Sequence, residues 1–248
     1  MRLLLVNGNT SPEITRLIEA EARRSASSGT ELIAKTPRFG PASISTRSEL
    51  AIAAHAILAT LAEHAGRADA AVIACFGEPG LAAARELCAC PVVGMAEAAM
   101  LTACMLGNRF AVVTGGRRWV PMLKELAHAY GLAARLASVR AHALEGGAIA
   151  RDREGAAQAL ADLACRTVEE DGADVVILGG AGLAGIAARI ADRVPVPVLD
   201  GLDCAVRQAE LLVALGCRKP VAGSFSAPEA RASVGLDASL GARLLGGS

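Results

Sequence analysis

A chain of 248 residues that is 53% hydrophobic and 20% charged is a folded globular protein, long enough for one large α/β domain or two small ones. Its 25 basic residues balance 25 acidic ones and aromatics are only 2%, which argues against nucleic acid or a membrane surface as partner and leaves a small-molecule substrate. No apolar stretch is long enough to span a bilayer, Met1–Val6 is too short for a signal peptide, and cysteine and histidine spacings match no metal motif, so seven reduced thiols in a cytoplasmic protein are expected.

Short apolar runs alternate with longer amphipathic stretches, the pattern of βα units around a parallel sheet. A first strand at Arg2–Val6 runs into Asn7-Gly8-Asn9, and Ser11 or Thr10 caps a helix whose first position is Pro12. The strand at Glu31–Ala34 leads to Gly40-Pro41-Ala42-Ser43-Ile44-Ser45, a turn-rich loop suited to form a rim or lid. Further strands are expected at Ala70–Ala74, Pro91–Val93, Arg109–Val113, Ala134–Val139, Asp174–Leu178 and Val196–Leu199, with helices in the gaps. The segment from Arg207 onward is expected to return to the first part of the chain.

These runs repeat. Arg2–Asn9 aligns with Arg109–Gly116, Ala68–Cys75 with Ala173–Gly180, and Pro91–Glu97 with Pro197–Asp203, all at nearly one spacing. The expected architecture is α/β, with two pseudo-symmetric four-stranded parallel-sheet (flavodoxin-like) halves. Residues 1–97 plus 207–248 form one half and residues 98–206 the other. Ligands in such sheets bind beyond the carboxyl ends of the strands, so Asn7, Cys75, Thr114 and Gly180 should surround a single cleft.

Cys75 ends the third strand ahead of a helical pattern, where a helix N-terminus would favour its thiolate; free cysteine, with a pKa of about 8.5, holds little thiolate at neutral pH. The N–H groups of Phe76, Gly77 and Glu78 are candidates to hold an enolate oxygen. The alternative is that Cys75 is a small buried apolar residue. Glu78 reads as a first-turn dipole partner. Asn9, Thr10 and Thr114, together with Asn7, suit a ligand carboxylate or amide, or equally helix capping. Gly180-Ala181-Gly182-Leu183-Ala184-Gly185, with Asp200 at the end of the next strand, also fits a dinucleotide fingerprint, although it lies late in the chain.

Taken together, the segments resemble the aspartate/glutamate/hydantoin racemase superfamily, most closely its hydantoin racemase branch. The resemblance rests on Asn7-Gly8-Asn9-Thr10-Ser11, Ala74-Cys75-Phe76-Gly77-Glu78-Pro79-Gly80, Gly94-Met95-Ala96-Glu97-Ala98-Ala99, Val112-Val113-Thr114, Leu178-Gly179-Gly180-Ala181-Gly182-Leu183 and Val196-Pro197-Val198-Leu199-Asp200-Gly201. It implies a cofactor-independent isomerase in which two thiols flank an acidic Cα–H, as in a 5-substituted hydantoin or related amino-acid derivative. The resemblance assigns Cys75 as one of those thiols. Gly180 stands where the family carries the second cysteine, so activity is expected to be impaired or altered, and Gly8 in place of the family's proline is a milder departure. The expected substrate-binding surface comprises Asn9, Thr10, Ser43, Ile44, Phe76, Gly77, Thr114, Gly115, Ala181 and Gly182. The resemblance also implies homo-oligomeric assembly. A single-cysteine malonate decarboxylase of the same superfamily is the alternative, and a dinucleotide-binding oxidoreductase a remote one.

Overall fold

In a computed structural model that describes residues 1–143 and 146–245, eight parallel strands form two four-stranded sheets. The first contains β1 (Arg2–Asn7), β2 (Glu31–Lys35), β3 (Ala70–Ala74) and β4 (Val92–Gly94) in the order β2-β1-β3-β4. The second contains β5 (Phe110–Gly115), β6 (Leu136–His142), β7 (Val175–Gly179) and β8 (Val198–Asp200) in the order β6-β5-β7-β8. All eight expected strands are present, with ends displaced by a few residues.

The duplication extends to hydrogen bonds. The Asp69 carboxylate accepts from the Arg2 N–H at 2.6 Å, and the Asp174 carboxylate accepts from the Arg109 N–H at 2.8 Å. The carbonyl of Pro91 receives the Ala71 N–H at 2.9 Å, and that of Pro197 receives the Val176 N–H at 3.0 Å. Matched residues therefore perform matched tasks in register-setting at the entry to each sheet.

Helices α1 (Pro12–Ser25), α2 (Arg47–His64), α3 (Leu81–Leu87) and α4 (Met95–Leu106) follow the strands of the first sheet. Helices α5 (Trp119–Ala129), α6 (Gly146–Arg151), α7 (Arg153–Asp171), α8 (Ala187–Ile190), α9 (Gly201–Ala214) and α10 (Ala238–Leu244) follow in the second part of the chain. Ser11 caps α1, accepting from the Ile14 N–H, with Pro12 in the first turn.

The central strands are apolar on both faces because both faces are covered. Leu3, Leu5, Val72, Phe110, Val112, Val175 and Ile177 share one core between the sheets with α4 and α9. Leu4, Val6 and Ile73 face an outer core with α2, while Val113, Val176 and Leu178 face another with α7. Helix α4 leaves the first sheet to pack on β7, and α9 leaves the second to pack on β3. This exchange locks the sheets together. The terminal helix α10 lies on α2 of the first half.

Candidate active site

The carboxyl ends of both sheets open into one cleft of about 300 Å³. Its walls include Asn9, Ser43, Ile44, Cys75, Phe76, Thr114, Gly115, Gly180, Ala181 and Gly182, ten of the residues expected there. Thr10 and Gly77 do not line it. The Thr10 N–H and hydroxyl both donate to the Pro41 carbonyl, at 3.0 and 3.3 Å, holding the loop that presents Ser43 and Ile44. Gly77 is covered by the ring of Trp119, and a β-carbon on it would fall 2.6 Å from that ring.

Asn7 is fully enclosed. Its amide nitrogen contacts Asn9 Oδ1, the Ser11 carbonyl and Thr15 Oγ1, and its Oδ1 accepts from the Asn9 N–H at 3.1 Å, so it organises the β1–α1 turn. The Asn9 Oδ1 is committed to the Ser11 N–H at 2.9 Å, which leaves its Nδ2 to donate to a ligand. Thr114 donates to the Gly179 carbonyl at 2.7 Å and retains its hydroxyl oxygen as an acceptor.

Two aromatic side chains tie the halves together at this cleft. Phe76, from the first half, is wedged against second-half glycines: a β-carbon on Gly179 or Gly201 would lie 2.5 or 2.8 Å from its ring. Trp119, from the second half, covers Gly77 of the first. Backbone approach this close requires bare Cα positions. Trp119 and Arg151 line the cleft, as do Ile14 and Leu17 of α1, and residue patterns alone singled out none of the four. The chain's one tryptophan, four residues past the Thr114-Gly115 strand end, was the available signal for the first.

The surroundings of Cys75 depart from the sequence-based expectation in three ways. Helix α3 begins only at Leu81, so no helix N-terminus lies beside the sulfur. Burial pushes the thiol up to about 11, the Glu78 carboxylate adds to the rise, and the Gly77 and Glu78 N–H groups oppose it. The resting group is therefore a thiol. The Gly77 and Glu78 amides, candidates for an enolate oxygen, serve the sulfur itself, and the Glu78 N–H also donates to the Cys75 carbonyl at 3.0 Å.

Glu78 is not a first-turn dipole partner of α3 either. Its buried carboxyl receives the Tyr130 hydroxyl and the Glu97 N–H, the latter at 2.9 Å at the start of α4, and burial pushes it up to about 7.

Gly180 adopts φ 145°, in a region reserved for glycine, and a β-carbon there would meet only Leu183 Cδ1, at 3.3 Å. The segment after it is a single 3₁₀ turn, Ala181–Leu183, rather than the long helix a dinucleotide fold sets beneath a pyrophosphate. Asp200, the acidic residue of that fingerprint, caps α9 through the Leu202 N–H at 2.8 Å and holds the Gly185 N–H at 2.5 Å. The dinucleotide alternative is thereby set aside. Among the described residues, no three His, Cys, Asp or Glu side chains gather as a metal ion would need.

With the strand-end cleft in place, lined by both Cys75 and Gly180, comparison with known proteins is decisive. The profile of the Asp/Glu/Hydantoin racemase family matches residues 3–209. The chain belongs to this family. It is accordingly an isomerase of the racemase type. It is 37% identical over 237 residues to the hydantoin racemase of Pseudomonas sp. (strain NS671), covering 95% of each chain. Its fold superposes on the solved structure of an allantoin racemase from Klebsiella pneumoniae with a TM-score of 0.92 and 40% identity, covering 97% of this chain and 98% of that one. Arylmalonate decarboxylase, at 16% identity and a TM-score of 0.60, shares the fold alone.

Proposed function

We propose that the chain acts at the acidic C5–H of a 5-substituted hydantoin or a related amino-acid derivative, with Cys75 as its acid–base group and without a cofactor. Allantoin falls in the same chemical class, being a hydantoin with a ureido group at C5. The observation that carries the proposal is Cys75 at the wall of a strand-end cleft that also exposes Gly180.

In this mechanism the Cys75 thiolate removes the C5 proton. The C–H electron pair moves onto the adjacent carbonyl as an S–H bond forms, and the planar enolate then regains a proton at C5. Binding energy has to offset the ionisation of a thiol whose resting pKa is near 11. Gly180 offers no acid on the opposite face, so inversion there depends on water, and return of the proton from Cys75 is faster than inversion. Asn9 Nδ2 and the Thr114 hydroxyl are the polar groups proposed to orient the ring, and Ile44, Phe76 and Trp119 supply its apolar walls.

The proposal divides the chain into residues 1–97 with 207–248 and residues 98–206, both boundaries falling inside helices, α4 and α9. Residues 144–145 of the second half and 246–248 of the first lie outside the described residues. A homo-oligomeric, cytoplasmic protein completes it, and sedimentation velocity tests the assembly. Among the described residues, no helix is long and apolar enough to cross a membrane.

The chemical test is incubation of each enantiomer of 5-benzylhydantoin in heavy water, with deuterium followed by NMR and configuration by chiral chromatography against an enzyme-free control. Deuterium is expected to enter one enantiomer faster than that enantiomer inverts, and Cys75→Ser is expected to abolish both signals. Undiminished exchange by Cys75→Ser sinks the one-thiol mechanism.

A further inference from the structure

Glu78 lies in the same tight turn as Cys75, and its backbone φ of 49° is the one positive value among described residues other than glycine. A residue with a side chain holds that conformation when its surroundings enforce it, and such enforcement concentrates at functional sites. Three elements supply it here. Tyr130, at the end of α5, donates its hydroxyl to Glu78 Oε2. The Glu97 N–H at the start of α4 donates to Oε1 at 2.9 Å. Gly94, at the end of β4, leaves the space, since a β-carbon there would fall 2.1 Å from Oε1. Behind them the Glu97 carboxylate is paired with Arg85 of α3, whose Nε also donates to the Val92 carbonyl at 3.0 Å.

This is a receptacle built for one carboxyl, and it spans both halves of the molecule. We propose that Glu78 is a positioning residue for Cys75: clamped by Tyr130 and the start of α4, it fixes the turn that carries the sulfur, and its charge sets how readily that sulfur ionises. The inference rests on Cys75 being the acid–base group. As a carboxylate, Glu78 holds Cys75 in the thiol form. Protonated, it lifts that electrostatic contribution and leaves burial as the main barrier to ionisation. Burial brings Glu78 to about 7, with the Tyr130 hydroxyl and the Glu97 N–H pulling downward and the Glu97 carboxylate pushing upward, so both forms are accessible near neutral pH. Burial also raises the Tyr130 phenol, which stays a donor throughout.

The test is the rate of iodoacetamide alkylation at Cys75, read on its own peptide by mass spectrometry from pH 6 to 11 without substrate. In Glu78→Gln the profile is expected to move to lower pH, with alkylation about tenfold faster near pH 9, the effect of one pKa unit. Near pH 6 it should converge with the parent, whose Glu78 is then protonated. In Tyr130→Phe the carboxyl loses a donor and keeps its proton to higher pH. That variant should exceed the parent near pH 8 and rejoin it by pH 10. Superimposable profiles for correctly folded Glu78→Gln overturn the inference; should that variant not fold, coincidence of Tyr130→Phe with the parent does so. Loss of exchange in Cys75→Ser alongside superimposable profiles removes the Glu78 inference alone, whereas persistent exchange in Cys75→Ser removes the underlying mechanism.

Discussion

Gly8 presses its bare Cα against Cys75: a β-carbon at position 8 would fall 2.6 Å from the Cys75 Cβ and 2.9 Å from its sulfur. The β1–α1 turn and the thiol turn therefore share space that only hydrogen at Gly8 allows. Gly8→Ala is expected to push the Cys75 side chain from its position, costing about 1–3 kcal/mol of stability through overpacking. Proton exchange at C5 should fall at least about tenfold, since misplacing a reacting group by an ångström costs on that order or more. Exchange kinetics together with urea denaturation check it, and a Gly8→Ala protein with parental exchange would show that the contact is immaterial to the reaction.

At Gly180 the constraint is the backbone rather than space. With φ at 145° and only Leu183 Cδ1 nearby, a thiol has room but its main chain is strained. Gly180→Ala and Gly180→Cys are each expected to lose about 1–3 kcal/mol. The matched pair separates strain from sulfur chemistry: only Cys should add proton transfer on the second face, and both should unfold at similar denaturant. Unchanged stability of Gly180→Ala would mean that this backbone relaxes without cost.

Asp200 and Glu78 are both raised to about 7 by burial. In the unfolded chain they ionise near about pH 4, so between pH 4 and pH 7 the unfolded state sheds protons that the folded state keeps. Stability is therefore expected to fall as pH rises through that window and to level off above it. Asp171, lowered by its bonds from Arg140, and Glu49, lowered by the Ser45 N–H, stabilise the fold above about pH 4 and lose that contribution as pH falls below it. Thermal melts should peak at about pH 4, and Asp200→Asn should flatten the decline toward pH 7. A melting temperature rising steadily from pH 5 to pH 8 would contradict these assignments.

Trp119 is the only tryptophan in the chain and it lines the cleft. Its emission should change on titration with a 5-substituted hydantoin, saturably, and with the same midpoint in Cys75→Ser, because that substitution removes chemistry rather than the cleft. No change in emission at saturating ligand, with binding verified by calorimetry, would place the ligand away from the indole.

Much of this protein is legible from residue order. The four central strands read out because Leu3–Val6, Ala70–Ala74, Phe110–Val113 and Val175–Leu178 are buried on both faces, which leaves uninterrupted apolar runs. The halves read out because Asp69 and Asp174, and Pro91 and Pro197, do the same work at matched positions. Cys75 and Gly180 fall at strand ends, and the cleft forms at strand ends. The ionisation of Cys75 was not legible in the same way. A helix-favoured thiolate is the local expectation, but enclosure by the loop of Gly8 and the nearby carboxylate of Glu78 make it a thiol. Likewise Thr10, Gly77 and Asp200 carry polar groups that suit a ligand, and Pro41, Trp119 and Gly185 occupy or cover them first. Sequence by itself determined the order of elements, the duplication and the strand ends that form the cleft, because periodicity and strand ends are local properties. Only the tertiary structure decided how the thiol is charged and which donors remain for a ligand, because burial and hydrogen-bond competition are set by segments distant in the chain.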